Sequence, residues 1–278
     1  MGERLVTKQQ DFKREVREFY NQIGWQEVSD GLYQNAHYED LRPIVRDYIH
    51  RCHLRVKRYL PATGRFLLDA GSGPIQYPEY LEYSQGFDKR VCADISHTAL
   101  LAARQRIGDH GLFVVSDISK LPFASQSFDG AVSLHTIHHL PEGDHVPAYL
   151  EIYRVMQPGS RAAIVNGWDS SPLMDFMDKV KARMKERKGL DTKKKDAVSK
   201  ESGTHVVKHD ARWLHRSLKG LFDYKVVVWR TPSVNVMRFF IREEWRGRSV
   251  LRILFWLEER FPRFFGEKGL YPLVVIRK

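Results

Sequence analysis

The sequence predicts an α/β protein with a seven-stranded, mostly parallel sheet covered by helices on both faces. Three observations lead to this fold class: short unbroken apolar runs, helical patterns between them, and a glycine-rich turn after the first run. Unbroken apolar strands that alternate with helices are typical of parallel sheets buried on both faces. The predicted strands are Arg65–Asp69, Val91–Asp94, Leu112–Asp117, Phe128–His135, Arg161–Asn166, Tyr224–Arg230 and Tyr271–Lys278.

Helices are predicted where apolar residues recur at three- and four-residue steps between capping and breaking residues. The predicted helices are Leu41–Leu60, a helix through Ala99, Leu100 and Ala103, Tyr149–Met156, Ala211–Leu218 and Ser249–Arg260. Asp40, Ser96 and Asp210 are the predicted N-caps of the first, second and fourth helices. Pro158 and Gly159 are expected to end the third helix, and Gly220 the fourth. We expect residues 1–60 to form an N-terminal helical lid. Residues 61–278 then form the sheet domain, with helical insertions at 167–210 and 231–268.

Composition excludes several classes of protein. The chain has 278 residues, of which 42% are hydrophobic and 28% charged, as in ordinary globular domains. Cys52 and Cys92 are too few for a disulfide framework, so we predict buried free thiols and a reducing, cytoplasmic location. The N-terminus shows no secretory signal, and the apolar runs are far shorter than the ~18 residues that span a bilayer.

A glycine turn and three acids give the strongest local signal. The sequence LLDAGSGP joins the first strand to a predicted helix, and its glycines let the backbone approach a ligand closely. Asp69 precedes the glycines. Asp94 ends the second strand 21 residues after Gly73, where folds of this type hold ribose hydroxyls. The pair Asp117-Ile118 follows the third strand.

These segments carry a family resemblance. DAGSGP, ADIS, SDISKLPF and FDGAVSLHTIHHLP resemble the successive motifs of class I S-adenosylmethionine (SAM)-dependent methyltransferases, which have a Rossmann-like fold. The small-molecule group related to quinone-biosynthesis methyltransferases is the most similar. The resemblance covers residues 40–166 well and the last two strands loosely. It implies SAM as cofactor and S-adenosylhomocysteine as product.

The resemblance also implies site residues. Asp69, Ala70, Gly71 and Gly73 would hold the methionine part of SAM. Asp94 would accept from the ribose hydroxyls, with Ile95 on the adenine ring; Asp117 would accept from the adenine amino group, with Ile118 on the other ring face. His135 would lie near the methyl group. Tyr20 and Tyr33, in the aromatic N-terminal segment, are candidates to lie near the SAM carboxylate.

One position departs from the family pattern. Ile75, after Pro74, replaces the third glycine of the usual motif. Pro74 removes a backbone donor near the helix start that dinucleotide folds use for pyrophosphate. SAM has no phosphate, so the departure counts against NAD or FAD and not against SAM.

The sequence HTIHHLP supplies candidates for the chemistry. His135 is either a general base or a wall of the pocket, and His139 would share its face if the segment were helical. His138, Asn166 and Trp168 are the candidates for acceptor binding. The spacing of Glu142 and Asp144 from these histidines matches no metal motif, so no metal site is predicted.

The positive charge of the chain does not by itself identify a binding partner. The net charge is +11, and Lys179–Lys200 is rich in lysine. The segment 236–265 interleaves arginines with aromatic residues, which suits a cap helix or dimer surface, a membrane-surface helix, or RNA. No RNA-binding module and no NPPY-like base-methylation motif is visible, which disfavours nucleic acid. Contact with an anionic membrane surface stays open.

We therefore expect SAM-dependent methyl transfer to a small or medium organic acceptor at oxygen, with nitrogen and carbon still open as the methylated atom. Two alternatives stay open at this stage. One is an RNA or lipid-head-group methyltransferase that uses the basic insertions, and the other is a non-catalytic SAM-fold scaffold. The identity of the acceptor and the oligomeric state do not follow from the sequence.

Overall fold

The structure is a computed structural model that describes residues 2–25, 27–29, 32–33, 39–187 and 205–278, with side chains from residue 9 onward except at 26–38 and 188–204. The side chain of Tyr33 and most of the lysine-rich segment therefore lie outside the described residues. Within the described part, no helix is long and apolar enough to cross a bilayer.

A seven-stranded sheet organises the molecule. Its strands stand in the order β5-β4-β3-β6-β7-β9-β8, and β1 and β2 form a separate antiparallel pair. All seven are parallel except β9, which runs antiparallel to both of its neighbours. The strands are β1 (Glu27–Ser29), β2 (Leu32–Tyr33), β3 (Gly64–Ala70), β4 (Phe87–Asp94), β5 (Gly111–Val115), β6 (Phe128–Leu134), β7 (Met156–Val165), β8 (Asp223–Arg230) and β9 (Tyr271–Arg277). The predicted fold class is confirmed.

Helices cover both faces of this sheet and make up the two insertions. They are α1 (Gly2–Phe19), α2 (Arg46–Arg55), α3 (Pro78–Leu81), α4 (His97–Ile107), α5 (His145–Val155), α6 (Pro172–Arg187), α7 (Ala211–Leu218), α8 (Val234–Phe240), α9 (Gly247–Arg260) and α10 (Pro262–Lys268). A π-helical turn (Tyr20–Gly24) continues α1. Short 3₁₀ helices are Pro43–Val45, Val56–Tyr59, Glu82–Ser84, Gly108–His110, Ile137–His139, Glu142–Asp144 and Glu243–Trp245.

Two predicted caps are confirmed. The hydroxyl of Ser96 accepts a hydrogen bond from the Ala99 N–H at 3.1 Å, and the carboxylate of Asp210 accepts one from the Trp213 N–H at 2.8 Å. Each satisfies an N–H group that the first helical turn leaves without a partner. Each capping side chain lies three residues before the N–H that it binds, so the sequence alone was enough to predict both caps.

Three predicted boundaries were wrong. No helix follows the glycine turn directly, because Ile75 takes a left-handed conformation. The next helix begins at Pro78. The helix predicted from Leu41 begins as a 3₁₀ turn, and Asp40 binds the Arg42 side chain there instead of capping α2. The helix before the fifth strand ends at Val155, ahead of its proline.

The core has three parts. One layer packs helices α5 and α7 on one face of the sheet, and a second packs α3 and α4 on the other face. A third cluster joins α2 to α8 and α9, which ties the N-terminal segment to the second insertion. Cys52 and Cys92 are buried free thiols, as predicted.

A buried carboxylate connects this third cluster to the sheet. Glu258 of α9 is fully buried and accepts hydrogen bonds from the Tyr48 hydroxyl at 2.7 Å, the Thr231 N–H at 3.0 Å and the Arg55 guanidinium at 3.1 Å. Arg55 also donates to the carbonyl of Trp229 at 2.6 Å. A buried charge with several donors is held in one position, so α9 and the end of β8 are fixed relative to α2.

The loops after β3 and β6 make the tightest backbone approach at the sheet edge. Gly71 has φ +75°, and a Cβ there would overlap the Thr136 side chain. The Thr136 hydroxyl donates to the Gly71 carbonyl at 3.1 Å. Only glycine meets both the left-handed backbone and the missing space.

Gly71→Ala should therefore destabilise more than an alanine at a matched glycine. Gly220 has φ +78°, and no atom of the described residues lies within 4 Å of a Cβ built there. Gly220→Ala should cost about 1–2 kcal/mol of unfolding free energy from backbone strain alone. Overlap with Thr136 should add about 1–3 kcal/mol in Gly71→Ala.

Urea denaturation of both variants measures the difference. Equal losses of stability would show that the Thr136 contact does not constrain the loop.

Candidate active site

The carboxyl ends of the parallel strands place most predicted site residues along one edge. Asp69 lies in β3, Asp94 ends β4, and Asp117 follows β5 by two residues. His135 and Asn166 come directly after β6 and β7. This edge lies where the strand order reverses between β3 and β6, the usual place for ligands in open α/β sheets.

Asp94 is bound to the glycine loop. Its carboxylate accepts from the Gly73 N–H at 2.9 Å and from the Ser96 N–H at 2.8 Å. Burial raises the pKa of Asp94 to about 6, although these backbone hydrogen bonds oppose the shift. A carboxylate has room for about four hydrogen bonds, so acceptor capacity remains.

Asp69, which the resemblance assigns to the methionine part of SAM, forms a buried ion pair within the protein. The carboxylate is buried, and its Oδ2 accepts from Nε and Nη2 of Arg90 at 3.0 and 2.5 Å. Arg90 is itself buried and donates to the Tyr80 carbonyl. The carbonyl of Ala70 accepts from the Ser133 hydroxyl at 2.7 Å. The Asp69 carboxylate and the Ala70 carbonyl therefore hold the start of the glycine loop in place through contacts within the protein.

Asp117 is covered by the N-terminal helix. Lys13 Nζ lies 2.5 Å from Asp117 and 2.5 Å from Asp144, and Ser119 also donates to Asp117. Burial alone would raise the pKa of Asp117, but the hydrogen bonds from Lys13 and Ser119 lower it below its usual value. Ile95 is half-buried beside this region, whereas Ile118 packs in the core.

The turn after α1 lies on the glycine loop. A Cβ at Gly73 would come within 3.0 Å of the Trp25 ring, and Asn21 accepts from the Ser96 hydroxyl at 2.7 Å. Tyr20 stacks on Trp25 with centroids 5.3 Å apart and places its hydroxyl 3.0 Å from Nε2 of His139. Tyr20 thus reaches the site. Trp25 does so too, although sequence reasoning treated it only as one of several aromatics.

His135 lies outside any helix. Its φ is +55°, and the 3₁₀ helix begins only at Ile137, so the expected shared helical face with His139 is wrong. The backbone N–H of His135 donates to the Val165 carbonyl at 2.7 Å, which secures this conformation. Left-handed backbone in a non-glycine residue is costly and concentrates at functional sites.

All three histidines of this segment are weak bases. Burial lowers the pKa of His135 to about 3, and the charges of Arg230 and Lys208 add to the effect. Burial likewise lowers the pKa of His139 to about 4 and brings that of His138 well below its usual value. The three imidazoles are therefore neutral at physiological pH.

The two residues predicted after β7 take different places. Asn166 is buried and donates to the Tyr149 hydroxyl at 3.1 Å, while its Oδ1 has no hydrogen-bond partner among the described residues. Trp168 packs in the core, and its indole N–H donates to the Gly266 carbonyl at 2.8 Å. Its donor is satisfied inside the protein, so the structure does not bring Trp168 to the acceptor side.

Sequence reasoning missed an aromatic group around His135. Trp229 lies 4.9 Å and Tyr271 5.7 Å from the His135 ring, and His53 stacks on Trp229 at 5.6 Å. The Arg230 guanidinium lies over both Trp229 and Tyr271. These four residues (His53, Trp229, Arg230 and Tyr271) are called the acceptor wall below.

An irregularity in β8 explains how neighbouring residues reach one cluster. Val228 pairs with Pro272 and Arg230 pairs with Tyr271, so Trp229 is an extra residue in its strand. Such a β-bulge re-aims side chains that would otherwise alternate between faces. The sequence shows only an aromatic strand end, and no local signal marks the bulge.

Several buried polar atoms of this region lack hydrogen-bond partners among the described residues. They are Nε2 of His53, Nε1 of Trp229, Nε of Arg230 and Oγ1 of Thr231. Arg230 is anchored by Glu39, which leaves its Nε available. Unmade hydrogen bonds of buried groups cost roughly 1–3 kcal/mol each, and their concentration in and next to the acceptor wall makes this region the candidate site for an acceptor.

Comparisons with known proteins agree with this geometry. Residues 68–164 match the model of a methyltransferase domain family. Methyltransferase GfsG of Streptomyces halstedii is 28% identical over 167 residues, which cover 56% of this chain and 58% of that protein. The C-methyltransferase UbiE of Cereibacter sphaeroides is 33% identical over 112 residues, or 38% of this chain and 43% of that protein. The chain thus spans about half the length of these relatives.

Solved structures share the fold at low identity. Geranyl diphosphate C-methyltransferase from Streptomyces coelicolor superposes with a TM-score of 0.52 and 16% identity, covering 95% of this chain and 96% of that one. The [4+2]-cyclase SpnF gives a TM-score of 0.51 and 17% identity over 97% and 95% of the two chains. The methyltransferase domain matched at residues 68–164 and the sheet order around it support a class I SAM-dependent methyltransferase.

Proposed function

We propose that the protein transfers a methyl group from SAM to an oxygen atom of a small organic acceptor and releases S-adenosylhomocysteine. One observation carries the proposal. The glycine loop, the buried Asp94 that binds it and the unpartnered donors around His135 lie at the same edge of one sheet. The match of residues 68–164 to a methyltransferase domain supports the cofactor, and the relatives of small-molecule type do not favour RNA, a lipid head group or a scaffold role.

The residues present fit this cofactor. Asp94 retains acceptor capacity for ribose hydroxyls, with Ile95 beside it, and Gly71 and Gly73 carry no side chain that would block close approach to the loop. Pro74 lacks a donor that a phosphate would need and SAM does not. When bound, SAM supplies a methyl group already activated by its sulfonium. The chain's own residues then have to orient the acceptor and exclude water.

The N-terminal segment is proposed to act as a lid. Trp25 and Asn21 lie on the glycine loop, and Lys13 occupies the Asp117 carboxylate. Entry of a cofactor requires these contacts to loosen, and their return excludes water from the site. We keep the division at residue 60 as part of this proposal, together with a cytoplasmic location supported by the buried free thiols.

The acceptor wall is proposed to bind oxygen atoms. Tryptophan and arginine N–H groups can only donate, so Trp229 and Arg230 select an acceptor atom such as a carbonyl or ring oxygen. The rings of Tyr271 and His53 offer flat apolar surface for the rest of the molecule. The charge of Arg230 favours ionisation of an acidic hydroxyl nearby.

His135 is proposed to position the acceptor instead of removing its proton. With a pKa of about 3, its imidazole is too weak a base for a hydroxyl at neutral pH. A neutral ring can still donate or accept one hydrogen bond. Acceptors with acidic hydroxyls, such as enols, phenols and carboxylic acids, need no stronger base.

SAM affinity should depend on the ionisation of Asp94. The folded pKa of about 6 lies above the usual 3.8, so the carboxylate becomes protonated as pH falls through 6. Ribose hydroxyls donate better to a carboxylate, and we expect affinity to fall by up to about tenfold per pH unit below 6. Isothermal titration from pH 5 to 8 measures this.

Asp94→Asn is the matched control. Its affinity should be about 1–3 kcal/mol weaker at pH 7.5 and no longer fall between pH 7 and 5. The free energy of unfolding depends on pH in the opposite sense to SAM affinity. Because the pKa of Asp94 is raised by folding, its contribution to stability is fully present below about pH 4 and is lost as pH rises through 6. A wild-type affinity that is flat with pH contradicts the assignment of Asp94 to SAM.

His135→Ala should lower turnover more than SAM affinity. We expect turnover to fall at least about tenfold, with the dissociation constant of SAM changed less than about twofold. Transfer of a labelled methyl group to a panel of phenols, enols and carboxylic acids gives the rates, with the exposed His215→Ala as control. A loss confined to SAM affinity would make His135 a cofactor-binding residue.

A comparison of two tryptophan variants tests whether the indole N–H of Trp229 binds the acceptor. Trp229→Phe removes an indole N–H that has no partner in the described part of the chain, so stability should hold or rise slightly, while the KM of accepted panel compounds rises about 2–10-fold. Trp168→Phe removes a donor bonded to Gly266 and should cost about 1 kcal/mol of stability without changing KM. Urea denaturation and the transfer assay separate the two. Unchanged KM in Trp229→Phe would remove Trp229 from the acceptor site.

A further inference from the structure

The second insertion carries an exposed apolar surface, called the aromatic face below. On α9, Ile253 and Trp256 are 60% and 63% exposed, and Val250 is also exposed. Phe261 and Phe264, around the start of α10, continue this surface and are each about half exposed. Val250, Ile253 and Trp256 are three residues apart and therefore share one side of the helix. Single exposed apolar residues are ordinary, but a contiguous group marks an interaction site.

Folding does not require these side chains to be apolar. The inner side of α9 presents Leu251, Phe255 and Glu258, which are buried against α2 and the end of β8. The helix is thus already held by its inner side. The apolar character of its outer side has no use within the described fold.

Positive charge surrounds the aromatic face. Arg246, Arg252, Arg260 and Arg263 are all exposed, and the Arg260 guanidinium lies 5.6 Å from the centre of the Phe261 ring. The acidic residues of α9 are engaged elsewhere: Glu258 is buried, and Glu259 pairs with Arg55 and Arg58. Two exposed acids, Glu243 and Glu244, lie just before α9, and Glu243 pairs with Arg248. The exposed charge along α9 and the start of α10 is therefore mostly cationic.

This charge argues against a second copy of the chain as the partner. A twofold contact brings the same surface of both copies together. The arginines would then face the same arginines, with the carboxylates of α9 already occupied. A partner that is apolar inside and anionic at its surface meets both requirements.

We propose that the aromatic face docks on the surface of a bilayer containing anionic lipids, with α9 lying in the interface and no segment spanning it. Helices with apolar and aromatic residues beside arginines bind in this way. The inference goes beyond methyl transfer and does not depend on it. In this orientation α9 lies between the membrane and the acceptor wall, because Glu258 on the inner side of α9 binds the N–H of Thr231 next to Arg230.

Vesicle flotation of the full chain tests the proposal. We expect binding to vesicles of 30% phosphatidylglycerol in phosphatidylcholine at low salt and little binding to phosphatidylcholine alone. Ile253→Ser/Trp256→Ser should weaken partitioning at least about tenfold. Arg252→Gln/Arg260→Gln should weaken it about fivefold per arginine on anionic vesicles.

A matched double variant controls for the changes in composition. Leu101→Ser/Arg104→Gln alters an exposed leucine and an exposed arginine on α4, away from the face, and should bind like the wild type. The blue shift of tryptophan emission on anionic vesicles should shrink in Trp256→Phe. Circular dichroism and urea denaturation confirm that each variant is folded.

Three outcomes would overturn the proposal. The first is that the wild type fails to float with anionic vesicles at low salt. The second is that light scattering shows a dimer that Ile253→Ser/Trp256→Ser makes monomeric, without vesicle binding by either form. The third is salt-dependent retention on polyuridylic acid, lost in Arg252→Gln/Arg260→Gln, from a chain that does not bind vesicles.

Discussion

The close approach of the loop after β6 to the glycine loop after β3 is the constraint on which the site depends. A side chain at position 71 has no room beside Thr136, and the Thr136 hydroxyl binds the Gly71 carbonyl. This contact closes the edge where the strand order reverses. It places His135 in left-handed backbone, with its N–H on Val165, and turns its ring toward the aromatic residues of β8 and β9.

Buried polar groups give the two sides of the site different properties. On the cofactor side they are paired: Arg90 holds Asp69, and backbone N–H groups hold Asp94. On the proposed acceptor side, Nε1 of Trp229 and Nε of Arg230 have no hydrogen-bond partner among the described residues. Paired groups make a rigid framework, whereas open donors favour a ligand that supplies oxygen atoms. The same low-dielectric surroundings keep the histidines neutral, so electrostatic positioning replaces general base catalysis in the proposed mechanism.

Local signals in the sequence were sufficient for much of this structure. Apolar runs predicted every strand of the main sheet, and Ser96 and Asp210 predicted their helix starts, because strand burial and capping depend on neighbours in sequence. The glycine turn and its acids predicted the family. Contacts between distant groups could not be predicted from the sequence: Arg90 binds the carboxylate of Asp69, and the Gly266 carbonyl accepts from the indole of Trp168.

The sequence by itself thus determined the fold class, the edge of the sheet that carries the cofactor motifs, and the resemblance to methyltransferases. These follow from periodicity and short motifs, which are properties of adjacent residues. Only the tertiary structure decided which side chains meet around His135, that a bulge brings Trp229 and Arg230 to one cluster, and which side of α9 remains exposed. Those outcomes depend on packing between segments far apart in the chain, and no pattern of neighbouring residues encodes them.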